Sequence, residues 1–317
     1  MRQVLMLVLV FWFLFSQTAY SQDGQGLNRG RPFDIQVSKF DTLNGGTFRL
    51  KIDDPRSGLI QTQYGKAHSA TVAPDVFRGW VQKYHPLFAQ LTTQVSPGQV
   101  IEVKGQWDKA DRPLTAMGIP HTTIGARHLD DTDLSACRVL VINCAGTIPR
   151  DARQKVRDFV AGGGALLTTD WSLHNLLEPC FPGYVRWNGF KSKSEVVDAE
   201  VLPAVQPLAG GLVSNAGWKL DLESQTIAVL DRQRVRVLAR SSSLARQEPD
   251  KQGILAVLFP FGRGQVLHLI GHFDNNAFFA IRHSLPDPAP VIGIGLRQAL
   301  AGNFVINALA DQSLRRP

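Results

Sequence analysis

The segment that decides the fold covers residues 137–177 and reads CRVLVINCAGTIPRDARQKVRDFVAGGGALLTTDWSLHNLL. It contains two short apolar runs, Val139–Asn143 and Ala165–Thr169. Each run has the length and composition of a buried β-strand. The residues between the runs are therefore expected to make the connection from one strand to the next.

That connection has the pattern of an amphipathic helix. Pro149 suits the first helical turn, and a run of glycines, Gly162–Gly164, would end the helix. One face carries the apolar residues Val156, Phe159 and Val160. Strand, helix and strand form a βαβ unit, so the two strands should be parallel and covered on both faces.

The pattern continues on both sides of this unit. The further strand candidates are Val100–Val103, His121–Ile124, Glu195–Val201 and Val235–Ala239, and the further helix candidates are 76–91, 108–117 and 296–309. Two late apolar runs, Ile254–Phe259 and Gln265–Ile270, flank a turn with Pro and Gly and predict a hairpin. The chain is therefore expected to be an α/β protein with a mostly parallel sheet, helices on both faces and a late β-hairpin.

The first 21 residues are typical of an export signal. Arg2 precedes an apolar run over residues 4–15, and small residues at Ala19 and Ser21 suit a signal peptidase. The run is shorter than the roughly 20 residues that span a bilayer. We therefore expect residues 1–21 to be a signal peptide and the protein to be periplasmic or secreted. An uncleaved membrane anchor is the alternative.

Composition limits the partners. The chain has 317 residues and a formal net charge of +7, but its Lys and Arg are scattered. No basic stripe with interleaved aromatics indicates nucleic acid, and no later stretch predicts a membrane span. A small molecule or an envelope protein is the expected partner.

Residues 22–98 are poorly patterned and predict a small N-terminal extension, so the main domain should cover residues 99–317.

Three cysteines do not make a disulfide framework in a chain of this length. Cys137 and Cys144 flank one predicted strand, which holds them roughly 20 Å apart. A disulfide needs Cα atoms within about 7 Å. Cys180 could pair with either of them, or all three could be free thiols.

Candidate functional residues follow from the position of the strands. Ligands of open α/β sheets bind at the carboxyl ends of the strands. Three polar loops meet that condition: Asn143–Gly146, Thr168–Trp171 and Gly271–Asp274. The acidic and imidazole side chains of these loops are Asp170, His272 and Asp274. The predicted ligand-binding residues are Asn143, Cys144, Gly146, Thr169 and Trp171.

Order and spacing of these loops resemble the class I glutamine amidotransferase-like superfamily over residues 99–275. Val139–Gly146 resembles the strand with the oxyanion loop, Gly163–Trp171 resembles the strand that enters the nucleophile elbow, and His272-x-Asp274 resembles the catalytic His-x-Glu. The resemblance implies a flavodoxin-like fold. The chain departs from the family at the elbow, because Asp170 stands in place of the cysteine and no glycine flanks it.

The chain therefore resembles a branch without the nucleophilic cysteine. Asp170 could attack as a carboxylate with His272 as its base. Alternatively, Asp170 caps a helix that starts near Ser172, or is held by other fixed hydrogen bonds. Cys144 is either a nucleophile or a small buried side chain.

The sequence gives little support for a metal or a cofactor. A metal site of Asp170, His272 and Asp274 is conceivable, but none is predicted. The chain has no P-loop, and no Gly-x-Gly-x-x-Gly follows a strand, so no nucleotide cofactor is expected.

These observations favour an exported amidotransferase-like domain without glutaminase activity, which binds a ligand or a partner protein. The alternative is a hydrolase with altered machinery, in which Asp170, His272 and Asp274 are the catalytic residues. A purely structural role would be indicated if Trp171 and its neighbours filled the site.

Overall fold

The computed structural model describes residues 35–41, 47–52, 68–69, 74–206, 208–212, 216–273, 278–279 and 296–310. The strands are β1 (Ile35–Asp41), β2 (Thr47–Ile52), β3 (His68–Ser69), β4 (Val100–Val103), β5 (Thr122–Ile124), β6 (Val139–Ile142), β7 (Ala165–Thr169), β8 (Val185–Lys191), β9 (Glu195–Val201), β10 (Ala216–Leu220), β11 (Gln225–Val229), β12 (Arg236–Arg240), β13 (Ile254–Phe261), β14 (Gly264–Leu269) and β15 (Phe278–Phe279). The α-helices are α1 (Pro74–Tyr84), α2 (Pro86–Leu91), α3 (Asp111–Ala116), α4 (Ala152–Ala161), α5 (Glu178–Cys180), α6 (Ser242–Gln247) and α7 (Leu296–Ala310).

A nine-stranded sheet has the order β10-β9-β12-β13-β14-β7-β6-β4-β5. Its second half, β14-β7-β6-β4-β5, is parallel throughout. Numbered along the chain, these five strands have the order 2-1-3-4-5 of a flavodoxin-like fold. The predicted α/β architecture is confirmed.

The other half of the sheet is antiparallel. β13 and β14 form the predicted late hairpin, and β12, β9 and β10 extend the sheet beyond it. The sequence pattern predicted β9 and β12 within one residue at each end, but it did not predict β10. This extension matters for function because it brings the loop after β10 to the carboxyl end of β14.

The central βαβ unit is as predicted, with one shift. Every residue of β6 and β7 is buried, which is the burial expected of parallel strands covered on both faces. Helix α4 begins at Ala152, not at Pro149, and its apolar face packs into the core. Gly164 is required after the helix, because a Cβ there would lie 2.4 Å from the ring of Phe159.

Part of the N-terminal segment shares the core of the main sheet. The predicted helix over residues 76–91 is split before Pro86 into α1 and α2. Trp80 of α1 is fully buried in the same apolar cluster as the strands of the sheet. The boundary at residue 98 stays a prediction. Among the described residues, no helix is both long and apolar enough to cross a bilayer.

All three cysteines are buried free thiols. The prediction that left Cys180 a choice between pairing and a free thiol is thereby resolved. The chain holds its core together without a disulfide.

Candidate functional site at the carboxyl edge of the parallel strands

Asp170 occupies a strained turn directly after β7. Its φ is +49°, a left-handed conformation that L-residues other than Asn and Asp rarely adopt. The Asp170 N–H donates to Leu269 O at 2.9 Å, and the Asp170 carbonyl accepts from Leu173 N–H at 3.0 Å. The backbone of an elbow is therefore present at the position that the sequence indicated, although no glycine flanks it.

A helical segment, Leu173–Leu177, follows Asp170, but the Asp170 carboxylate is directed to another part of the chain. Oδ1 accepts from Gln225 N–H at 3.1 Å, and Oδ2 accepts from the Ser224 hydroxyl at 3.2 Å. The prediction that Asp170 caps this helix is wrong, because its carboxylate accepts hydrogen bonds from residues at the start of β11. The alternative of other fixed hydrogen bonds is confirmed.

His272 lies beside Asp170 and links it to a second carboxylate. His272 Nε2 is 3.5 Å from Asp170 Oδ2, and His272 Nδ1 is 3.6 Å from Asp221 Oδ2. Asp221 Oδ2 also accepts from the His272 N–H at 3.0 Å. Asp274 lies outside the described residues, so its predicted role stays a prediction. Within the described residues, Asp221 is the acid that orients the imidazole.

The pKa values of the Asp170 and Asp221 carboxyls are shifted in opposite directions. Asp170 is 1% exposed, and burial together with the charge of Asp221 raises the pKa of its carboxyl to about 7. Burial acts in the same direction on Asp221, but Arg297, His272 and Lys219 outweigh it and hold the pKa of Asp221 below its ordinary value. At neutral pH Asp221 is therefore ionised, whereas Asp170 is partly protonated.

The Cys144 sulfur completes the group. Its ligand atom lies within 4.8 Å of those of Asp170 and His272. Burial and the charge of Asp170 raise the pKa of this thiol, against a weaker opposite effect of the nearby Trp171 backbone N–H. Cys144 is therefore a thiol in the protein alone and a poor nucleophile.

A buried hydrogen-bond chain braces the three loops. Cys144 N–H donates to the Thr169 hydroxyl at 3.1 Å, and this hydroxyl donates to Asp108 Oδ2 at 2.7 Å. Phe273 N–H donates to the same carboxylate oxygen at 2.7 Å. Thr169, predicted to bind a ligand, is thus occupied as a structural link. Asp108 was missed, although its place just after β4 was a signal for it.

A crevice of about 280 Å³ opens beside this group, where the strand order reverses between β4 and β6. It is lined by residues 103–106, 125–126, 142–143 and 145–147. Gly146 has φ +73°, and a Cβ there would lie 2.5 Å from the Cα and hydroxyl of Ser172. Only glycine lets this loop approach the turn after β7. The topological switch point is where ligands of this fold class bind.

Asn143 is the unusual side chain of the crevice. It is 1% exposed, and neither its amide nitrogen nor its amide oxygen has a hydrogen-bond partner among the described residues. Leaving a buried polar group unpaired costs about 1–3 kcal/mol. Within the described residues, the wall of the switch-point crevice therefore contains one amide donor and one amide acceptor without partners.

The remaining predicted residue, Trp171, is half-buried beside the cluster. Its indole N–H donates to Glu223 O at 2.8 Å, and the Lys191 ammonium lies 5.6 Å from its ring centroid. The ring is therefore held against the loop before β11. Asp221, in that same loop, had no sequence signal, because neither β10 nor the turn that follows it showed a strand pattern.

Comparison with known proteins gives fold-level likeness only. No protein-family profile and no curated protein matches the chain. Among solved structures, a ThuA-like protein from Bacteroides uniformis matches 69% of this chain and 94% of its own, at 13% identity and TM-score 0.46. A GMP synthase subunit from Thermoplasma acidophilum matches 69% and 97%, at 13% identity and TM-score 0.45. Both have class I glutamine amidotransferase-like folds.

Larger enzymes match over one part of their length. The β-galactosidase from Rahnella sp. R3 matches 69% of this chain at 13% identity and TM-score 0.41. The chain spans about a third of that enzyme, 31%. The activity is therefore inferred from the site alone.

Proposed function

We propose that the chain is a small-molecule-binding module built on an amidotransferase-like fold, without glutaminase activity. The observation that carries the proposal is Asn143, a buried amide with two polar atoms that are unpaired within the described residues, at the switch-point crevice. Native proteins rarely leave both atoms of a buried amide unpaired unless something else satisfies them. The crevice supplies the room for that partner.

The elbow supports the absence of glutaminase activity. A class I enzyme needs a cysteine at the elbow and free backbone N–H groups for the oxyanion. Here Asp170 stands at the elbow in place of the cysteine. The thiol nucleophile that attacks glutamine is therefore missing from this position.

The ligand class follows from the groups that line the crevice. The Asn143 amide places one donor and one acceptor side by side, which a primary amide or a cyclic imide matches in two hydrogen bonds. We expect nicotinamide or uracil to bind and to shift the Asn143 side-chain NH₂ resonances in a ¹⁵N-resolved NMR titration. Asn143→Leu should abolish binding. Failure of both probes to perturb residues 103–106 and 142–147 would contradict the proposal.

A hydrolase is the second candidate, because the His272 imidazole has a carboxylate near each ring nitrogen. Nε2 is 3.5 Å from Asp170 Oδ2, and Nδ1 is 3.6 Å from Asp221 Oδ2. In this scheme the Asp170 carboxylate attacks the acyl carbon of an ester substrate, and the alcohol or phenol leaves as a mixed anhydride forms on Asp170. His272, oriented by Asp221, then activates the water that cleaves the anhydride, which releases the acid and restores the Asp170 carboxylate. Such a role requires the chain after residue 273 to leave Asp170 accessible to a substrate.

Turnover assays separate the two candidates. We expect no ammonia release from L-glutamine by the native chain above the Asp170→Asn level. Hydrolysis of p-nitrophenyl acetate that falls about hundredfold or more in both Asp170→Asn and Asp221→Asn would establish the hydrolase. Residual hydrolysis that is equal in all three proteins would be a surface reaction and would favour the binding module.

We also propose that the protein is exported after removal of residues 1–21, leaving an extension over residues 22–98 ahead of the main domain. The support is the charged start, the apolar run and the small residues before the cleavage position. N-terminal sequencing of the protein from a Gram-negative host should give a chain that starts at Gln22 in the periplasmic fraction. Retention of residues 1–21 in the membrane fraction would indicate the anchor.

A further inference from the structure

Three side chains with different ligand chemistry meet at the carboxyl edge of the sheet. They are a thiol, Cys144 after β6, a carboxyl, Asp170 after β7, and an imidazole, His272 after β14. Their ligand atoms all lie within 4.8 Å of one another. Convergence from three separate loops, braced by the buried chain through Thr169 and Asp108, is a feature of built metal sites.

The distances suit a tetrahedral ion. Zinc lies about 2.0–2.3 Å from nitrogen, oxygen and sulfur ligands, so neighbouring ligand atoms are about 3.4 Å apart. Asp170 Oδ2 and His272 Nε2 already have that separation, at 3.5 Å. The 4.8 Å limit on the whole group leaves a contraction of roughly 1 Å, which a side-chain rotation supplies.

The imidazole also has the outer partner that metal-bound histidines have. Metal-ligating histidines nearly always direct their second ring nitrogen to a carboxylate or a carbonyl. His272 Nδ1 faces Asp221 Oδ2 at 3.6 Å while its Nε2 faces the cluster. Asp221 is itself fixed, because Lys219 Nζ lies 3.3 Å from its Oδ1 and the His272 N–H donates to its Oδ2.

The charge of the neighbourhood favours a cation. Three acidic side chains, Asp108, Asp170 and Asp221, lie around the buried Arg297 and the partly buried Lys219. With Asp170 in its ionised form, as a metal ligand would be, three carboxylates against two cations leave one negative charge. A divalent ion that binds Cys144 as a thiolate adds two positive charges and one negative charge, which brings the sum to zero.

We propose that Cys144, Asp170 and His272 bind a divalent transition-metal ion of the zinc class, with Asp221 as the positioning residue for His272. The mixed sulfur, nitrogen and oxygen donors select this class over Mg²⁺ and Ca²⁺, which take oxygen ligands. Three protein ligands leave the fourth tetrahedral position for water, as in catalytic zinc sites. On binding, Cys144 releases its thiol proton to solvent.

Cobalt substitution tests this site directly. The full mature chain is treated with EDTA, desalted and titrated with Co²⁺. We expect one equivalent to bind, with intense d–d bands in the visible region and a sulfur-to-cobalt charge-transfer band in the near ultraviolet. Zn²⁺ should bleach both. Bands of octahedral intensity or the absence of bound cobalt would overturn the proposal.

Variants assign the ligands. Cys144→Ser keeps the size of the side chain and should remove the charge-transfer band. Cys180→Ser, at a buried thiol away from the cluster, should leave the spectrum unchanged. Asp221→Asn should keep the band while weakening Co²⁺ binding about 10- to 100-fold. A charge-transfer band that survives in Cys144→Ser, or unchanged affinity in His272→Asn, would show that the ion binds elsewhere.

This site is independent of the ligand crevice. Asn143→Leu should keep the cobalt spectrum, and EDTA should leave the binding of uracil or nicotinamide unchanged. The metal proposal can therefore fail while the crevice proposal stands, and the reverse.

Discussion

The free energy of unfolding should fall less with acid in His268→Asn than in the native chain. Between about pH 7 and pH 5 we expect the difference to be about 2 kcal/mol. His268 lies on β14 and is fully buried, with its Nδ1 2.9 Å from the Thr168 hydroxyl. Its Nε2 has no hydrogen-bond partner among the described residues. Burial lowers the pKa of the imidazole to about 3.

The sign follows from proton uptake. An unfolded histidine titrates near 6.5, so between about pH 6.5 and 3 the unfolded chain holds a proton at this position that the folded chain lacks. Stability from the neutral His268 is complete above about pH 6.5 and is lost as the pH falls. Each unit below that value costs about 1.4 kcal/mol until the folded pKa is reached.

The measurement is the free energy of unfolding in urea at several pH values. His268→Asn places an amide nitrogen near the position of Nδ1 but cannot gain a proton, so its curve should be flatter than that of the native chain. A lower stability at all pH values, from the smaller side chain, does not affect this slope. His128→Asn makes the same substitution at an exposed histidine and is the matched control. Equal slopes for all three proteins would mean that His268 is solvated in the fold.

The parallel half of the sheet could be predicted because each of its strands carries its own signal. Val139–Ile142 is apolar throughout, Ala165–Thr169 has three apolar residues followed by two threonines, and glycine or proline marks the helix between them. Strands covered on both faces are recognisable without their neighbours. The same positions place Asp170 and His272 at one edge, which is why their proximity was foreseen.

The antiparallel extension could not be predicted in the same way. Residues 216–220 read AGWKL, with no run and no regular alternation, and they form β10 because β9 offers a free edge to pair with. Tertiary pairing decides such strands. Asp221 follows β10, so the residue that orients His272 became visible only in the structure. The unpaired state of Asn143 likewise depends on the loops around it and not on its own sequence.

Replacing Asn143 with Leu should raise the free energy of unfolding of the ligand-free protein by about 1–3 kcal/mol. The side chain is 1% exposed, and its amide nitrogen and oxygen are both unpaired within the described part of the chain. Leu has nearly the same branched shape as Asn, so the crevice wall is kept while the two unpaired polar atoms are removed. Stabilising substitutions of this kind are expected where a residue serves binding and not folding.

The chain supplies a matched control of opposite sign. Asn303 on α7 is also fully buried, but its Nδ2 donates to Leu208 O at 2.6 Å and to Gly210 O at 2.8 Å. His85 Nε2 lies 2.6 Å from its Oδ1. Asn303→Leu leaves two carbonyl oxygens and an imidazole nitrogen without this hydrogen-bond partner. The free energy of unfolding should therefore fall by about 2 kcal/mol or more. The same substitution should therefore stabilise at residue 143 and destabilise at residue 303.

The pair of variants separates a ligand site from an ordinary buried amide. Urea unfolding of the native chain and both variants gives the two signs, and the NMR titration with uracil or nicotinamide gives binding. A higher free energy of unfolding together with lost binding in Asn143→Leu would mean that the unpaired amide destabilises the fold and serves to bind the ligand. A loss of stability comparable to that of Asn303→Leu would show that Asn143 has internal partners, and the crevice would lose the side chain on which its binding role depends.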